Sequence, residues 1–350
     1  MTVRRVVVSL SIGAALVCGG AAAMPAAAED FYKGKQIHLI VPTPTGGSYD
    51  AYARAIALSL PNYLPGRPTI VVENMPGASG LKAANYIYNT APRDGLVIGA
   101  GYGGLPTAPL LSPDGAQFDV TKFSWIGSIT KEPYIGIVWH TSSIRSLDDA
   151  RTKPLIVGGS AVGAAGTDYP IIAKALFGFN LKVVTGYANS PDIKLAMERG
   201  ELDGVFATAW GALNTSEPTW LKEGKVRIVV QHGLARHPEM PNVPLLIEQA
   251  KTDADRQVLE LLMARQETSK PYFAPPEIPA DRLAILRTAF QEALKDREFL
   301  STVQKAHLEI DSPMDGKELA AFTAKLAHTP ISVVNRIETI LAGFKDGDKK

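Results

Sequence analysis

Short apolar runs alternate with longer stretches of helical spacing along most of the chain. Ile37–Val41, Thr69–Val72 and Val97–Gly101 read as strands, with helices at about 48–60 and 79–90 between them. This βαβαβ order predicts a mainly parallel sheet with helices on both faces. Ser124–Thr130 and Tyr134–His140 are further strands, separated by Lys131-Glu132-Pro133, where the first crossing between two units is placed. A second α/β unit follows. Its strands are Leu155–Gly158, Lys182–Thr185, Gly204–Ala207 and Val226–Gln231, with helices at about 167–177 and 190–199. A helix at about 253–264 leads to Pro271–Pro276, a proline-rich passage suited to a return crossing. The C-terminal part is helical. Leu283, Leu286, Phe290, Ala293 and Leu294 form one apolar stripe, and Leu319, Phe322, Leu326, Ile331, Val334, Ile337 and Leu341 supply two more on either side of Pro330. Such stripes are core packing.

The N-terminus changes the picture of where this fold works. Residues 1–28 read as a secretory signal: Arg4 and Arg5, an apolar stretch to about Ala23, then Ala26-Ala27-Ala28. Retention of this stretch as a membrane anchor is the alternative. Val17 before Cys18 does not fit a lipoprotein signal, so the expectation is a periplasmic protein cleaved near Ala28. Cys18 is the only cysteine, which leaves the mature chain without a disulfide, a thiolate nucleophile or a cysteine metal site. Loss of Arg4 and Arg5 takes the formal charge from +1 to −1, with no basic surface for nucleic acid. The remaining length suits about two domains.

The candidate chemistry lies in two glycine-rich turns, each running from a strand into a helix. Pro42-Thr43-Pro44-Thr45-Gly46-Gly47-Ser48 is the first, and Pro76-Gly77-Ala78-Ser79-Gly80 the second. Glycine lets backbone N–H groups approach a ligand closely. A helix start leaves about four N–H donors unpaired and carries roughly half a positive charge. Each turn alone also reads as an ordinary loop. Two facing one cleft make a site for an anion, in particular a carboxylate.

Other motifs carry less. Gly99–Gly104 satisfies G-x-G-x-x-G after a strand, but Pro106 and Pro109 forbid the regular helix that dinucleotide binding needs. A turn lending N–H groups and the Tyr102 hydroxyl to the same cleft fits better. The Gly158–Gly166 turn lacks the Gly-Lys-Ser/Thr of a phosphate loop, and neither G-x-S-x-G nor H-E-x-x-H occurs. His232 and His237 sit in a loop-like stretch and read as surface residues. Asp50 complements the dipole of its helix.

VPTPTGGSYDAYAR, its spacing to VVENMPGASG, then APRDG and the turn 101–104 resemble the TctC or Bug-type extracytoplasmic solute-binding receptors of tripartite tricarboxylate transporters. The resemblance runs from about Tyr32 to the C-terminal helices. It includes the turn around Gly158–Tyr169, TGYANSPDIKLAMERGELDGVFA, VRIVVQHGLARHPEMPNVPLLIE and FAPPEIPADRLAIL. It implies a two-lobed, type II periplasmic-binding fold of the Venus-flytrap kind, closing over an organic acid. The lobes fall at 29–130 with 263–350, and at 131–262. Carried over residue by residue, first-lobe contacts are Thr45, Gly46, Gly47, Ser48, Asp50, Gly77, Ala78, Ser79, Tyr102 and Gly103. Second-lobe contacts are Thr167, Asp168, Tyr187, Asn189 and Ser190. The chain departs from the family at Thr45, at Thr167-Asp168-Tyr169-Pro170 and at Thr208, so ligand identity stays open.

The resemblance further implies no catalytic residue, cofactor or metal, a monomer, and membrane permease subunits as partners. A micromolar dissociation constant needs about 8 kcal/mol, and hydrogen bonds to a charged group contribute roughly 1.5–3 kcal/mol each. A handful of backbone donors therefore suffices without an arginine clamp. An enzyme acting on a carboxylate with the same bilobal fold, and a sensor presenting its liganded state to a signalling partner, remain the alternatives.

Overall fold

A computed structural model describes residues 31–347 apart from 161, 188–189 and 307. The signal-sequence reading of 1–28 and the candidate contact Asn189 lie outside the described residues.

The first lobe opens with strand β1 (Gln36–Val41), helix α1 (Ser48–Ser59), β2 (Thr69–Asn74), α2 (Leu81–Asn89) and β3 (Val97–Ala100). β1 lies between β2 and β3, parallel to both, with Gln36 opposite Thr69 and His38 opposite Val97. Strand β4 (Ser124–Ser128) then leads across to β5 (Tyr134–Trp139), the first strand of the second lobe. That lobe continues with β6 (Leu155–Gly158), α3 (Ala165–Phe177), β7 (Leu181–Val184), α4 (Ser190–Glu198), β8 (Gly204–Ala209), α5 (Trp210–Ser216), β9 (Val226–His232) and α6 (Asp253–Glu267). The chain returns through β10 (Pro271–Ala274) and adds α7 (Ala280–Ala293), α8 (Arg297–Lys305), β11 (Met314–Asp315), α9 (Gly316–Ala327) and α10 (Ile331–Gly347).

The two sheets share one plan. In the first, the order is β11-β4-β10-β3-β1-β2, and in the second β7-β6-β8-β5-β9. Each has a parallel centre into which the strand arriving from the other lobe is inserted antiparallel: β10 between β3 and β4, and β5 between β8 and β9. Both sheets are therefore mixed. Residues 271–274, read from the sequence as part of a crossing, form a fully buried strand instead. Pro271 is tolerated as its first residue because a ladder end needs no N–H there. The crossings themselves are short and lie side by side, with Ile129 N–H on the Lys270 carbonyl and Glu132 N–H on the Gln266 carbonyl, each at 3.0 Å.

Burial on both faces accounts for the continuous apolar runs. In the first lobe, Tyr52, Ile56, Leu286, Phe290 and Phe299 cover one face, while Ala84, Ile87 and Leu319 cover the other. In the second, Tyr169, Ile172, Val258 and Leu259 pack on one face and Ile193, Met197 and Leu213 on the opposite one. Val333, Val334 and Ile337 of the last helix join the core of the second lobe, so α10 leaves the first lobe and lies on α3 and α6.

Candidate ligand-binding site

Three turns emerge from neighbouring strands at one edge of the first sheet, where their carboxyl ends point and where ligands of open α/β sheets bind. The turn after β1 is exposed from Pro44 to Ser48. Ala51 N–H closes the first turn of α1 on the Gly47 carbonyl, and the amides of Ser48 and Tyr49 find no acceptor among the described residues. Gly46 N–H is different: it donates to Asp50 Oδ2 at 3.0 Å. Asp50 is 3% exposed and also accepts from Arg54 Nε at 2.8 Å, Arg54 Nη2 at 3.0 Å and Asn74 Nδ2 at 2.9 Å. The Arg54 hydrogen bonds, then those of Asn74 and Gly46, hold its carboxyl down at about 2. Asn74 donates as well to the Thr43 carbonyl, tying the end of β2 to this turn. Asp50 thus locks the loop from within.

The turn after β2 is strained. Gly77, Ala78, Ser79 and Gly80 all have positive φ, including +46° at Ala78 and +50° at Ser79. Left-handed backbone at a non-glycine residue costs on the order of 1 kcal/mol and persists only where surroundings over-determine it. Here the Tyr102 ring constrains the turn at its last residue, Gly80. A Cβ at Gly80 would lie 2.3 Å from that ring, so only glycine lets the turn fold over it. Tyr102 meets Tyr49 edge to face, with ring centres 4.6 Å apart. Gly103 N–H hydrogen-bonds the Tyr49 hydroxyl, while burial raises the pKa of that phenol and keeps it protonated.

Across the cleft, the loop before α3 closes on Asp168, which accepts from Gly163 N–H at 2.8 Å. Arg265, in the last turn of α6, extends along the same wall, with Nη1 3.5 Å from the Gly163 carbonyl. Tyr134 stands beside it, its hydroxyl pushed up to about 12 by burial.

These walls enclose a cavity of about 650 Å³ between the lobes. Of the residues read from the sequence, Ser79, Tyr102, Gly103 and Asp168 line it together. Thr45, Gly46, Gly47, Ser48, Asp50, Gly77 and Ala78 lie at the sheet edge outside its lining, as do Thr167, Tyr187 and Ser190 in the second lobe. Thr167 is fully buried, its Oγ1 against Gly159, and Ser190 is exposed at the start of α4. Tyr49, Glu132, Tyr134, Arg265 and Ser269 line the cavity although the sequence offered none of them as a contact, and so do Glu338 of α10 and Ile337 and Leu341, which the helical stripe assigned to core packing. No local spacing marks any of them as a contact, because the crossings and the last helix bring them in from remote positions.

Behind the site lies a cation that the glycine turns gave no hint of. Lys270 is 5% exposed, donates to Ser269 Oγ at 2.8 Å, sits 3.9 Å from Glu132 and 4.3 Å from the centre of the Tyr49 ring. Burial lowers its pKa. His232, read as a surface residue, is wholly buried, because β9 runs on through it into the sheet. Its Nε2 meets the Phe206 carbonyl at 2.6 Å, and burial brings its pKa down to about 4. Among the described residues no group of three or more His, Cys, Asp or Glu side chains could hold a metal ion.

The same architecture recurs in solved proteins. A TctC solute-binding protein from Polaromonas, solved without ligand, superposes with a TM-score of 0.70 at 18% identity, covering 87% of this chain and 99% of that one. The chain has the fold of the TctC and Bug-type solute-binding proteins. MatC from Rhodopseudomonas palustris with bound malate matches with a TM-score of 0.53 at 20% identity over 88% of this chain and 99% of MatC. R. palustris Rpa4515 with adipate gives 0.55 at 20% identity over 88% and 98%. By sequence, the UPF0065 protein of the gbd 5′ region of Cupriavidus necator is 25% identical over 253 residues, 70% of this chain and 74% of that protein. No protein-family model matches the chain. In this TctC-like fold the cavity lies where the lobes face one another beside their two crossings.

Proposed function

We propose that the protein is an exported receptor that captures a small organic acid between its lobes and delivers it unaltered to the membrane permease subunits of a tripartite tricarboxylate-type transporter. The observation that carries this reading is the interlobe cavity itself. It is walled on one side by Ser79, Tyr102 and Gly103 and on the other by the Asp168 loop and Arg265, next to two short crossings. The malate and adipate held by MatC and Rpa4515 support a carboxylate as the ligand class. Lobe one spans about 29–130 and the segment after 263, lobe two about 131–262, and α10 returns to pack on lobe two. Rotation of one lobe about 129–133 and 268–270 closes the cleft. The proposed cargo path begins in the periplasm, after cleavage near Ala28.

Ligand-dependent melting against a panel of organic acids tests this reading. A bound acid raises the melting temperature and is recovered chemically unchanged. Tyr102→Phe, which removes one hydroxyl from the wall, weakens that binding at least tenfold, consistent with about 1.5–3 kcal/mol for a hydrogen bond to a charged group. Conversion of the acid during incubation refutes the receptor in favour of an enzyme. Uptake unchanged after deletion of the gene removes the transport role.

A further inference from the structure

We infer that the cavity selects an acid with one negative charge and a large apolar body, an aromatic or medium-chain monocarboxylate, over compact hydroxy di- and tricarboxylates. This rests on the receptor reading above and concerns which acids its site prefers. Leu81, Leu105 and Leu111 line the first-lobe side, and Leu262, Ile337 and Leu341 face them from α6 and α10. Leu111 is 42% exposed, and Leu81, Leu262 and Leu341 are half-buried, so apolar surface stands uncovered on both walls. An apolar ligand body removes that surface from water, and a hydroxylated four-carbon acid does not. The cavity, about 650 Å³, is of the size that takes drug-sized ligands, roughly 300–1,000 Å³, and is far larger than such a small acid fills. Closure brings the walls together without changing their chemistry.

Charge points the same way. Among the described residues the lining carries one guanidinium, Arg265, against the carboxylates of Glu132, Asp168 and Glu338. Lys270 lies behind the wall, engaged by Ser269 and close to Glu132. One anionic group can be met by backbone donors of the turns or by Arg265. A second and a third face carboxylates with no further cation on the lining among the described residues, and a desolvated like-charge contact counts heavily against binding.

Calorimetry on the mature chain tests this with straight-chain acids from butyrate to decanoate, with phenylpropanoate, and with malate, succinate and citrate. Affinity is expected to rise about fourfold per added methylene up to the length of the cavity. Phenylpropanoate should bind at least tenfold more tightly than malate or citrate. Leu341→Gln and Leu111→Gln, both at partly exposed positions, are expected to lower octanoate affinity at least fivefold, to flatten the gain per added methylene, and to keep the thermal melt of the unliganded protein. Tight binding of citrate or malate with no gain along the aliphatic series overturns this inference while leaving the receptor standing. Binding of none of these acids overturns both.

Discussion

Asp50 gives the sharpest test of how the first glycine turn is held. Its carboxylate accepts from Gly46 N–H, from two nitrogens of Arg54 and from Asn74, all between 2.8 and 3.0 Å, with its own side chain 4% exposed. Asp50→Asn keeps the shape but removes the charge and turns an NH₂ toward one of these donors. The folded carboxyl titrates at about 2 against 3.8 in its unperturbed state, a difference that corresponds to about 2.5 kcal/mol. Arg54 is 47% exposed and recovers hydration when the pair is lost, so about 2 kcal/mol is the better figure. At about 2.1 cal/mol/K of unfolding entropy per residue, a chain of this size loses only about 3 °C of melting temperature for that change. The sign follows from the depressed pKa: the contribution is present above about pH 4 and disappears as pH falls through about 2. Melting curves of wild type and Asp50→Asn from pH 7 down to 2 should therefore converge at the acid end. Ligand affinity should change less than fivefold, because Asp50 points into its own loop. Equal melting temperatures at pH 7 combined with lost ligand binding would show that Asp50 is a ligand contact, and the reasoning fails.

Other perturbations have distinct signatures. Buried His232 is neutral with a pKa of about 4, so stability is full above the unfolded value near 6.5 and falls as pH drops toward 4. His232→Gln should remove on the order of 3 kcal/mol of that pH dependence, read from urea midpoints between pH 7 and 4. A Cβ at Gly103 would lie 2.3 Å from the Arg265 carbonyl oxygen, so Gly103→Ala should cost about 2–3 kcal/mol by overpacking at the crossings, seen as a lower urea midpoint with an unchanged slope. Lys270→Met replaces a desolvated ammonium with a side chain of similar length, and should change stability at pH 7 by less than about 1 kcal/mol. The same variant should abolish the gain in stability that wild type shows toward alkaline pH, where the depressed Lys270 group is neutral in the folded state.

The βαβαβ opening, the repeat of that plan after Pro133 and the apolar stripes of the late helices were legible in the chain, because strand and helix periods are local properties of neighbouring residues. So were the turns after β1, β2 and β3, since glycine next to an apolar run marks a strand-to-helix junction wherever it falls. Tertiary structure alone decided which residues of those turns reach the cavity. Asp50 ties the Gly46 amide into its own loop, and Tyr49 joins Tyr102 on the cavity wall. Arg265, Lys270 and the apolar residues of α10 entered the site for a related reason. They come from segments more than 150 residues downstream of the first two turns, carried back by the second crossing and the last helix, and nothing in their own neighbourhoods encodes that return. Local sequence set where backbone donors gather. Long-range packing set the charges and greasy surfaces placed opposite them, and those govern which acid fits.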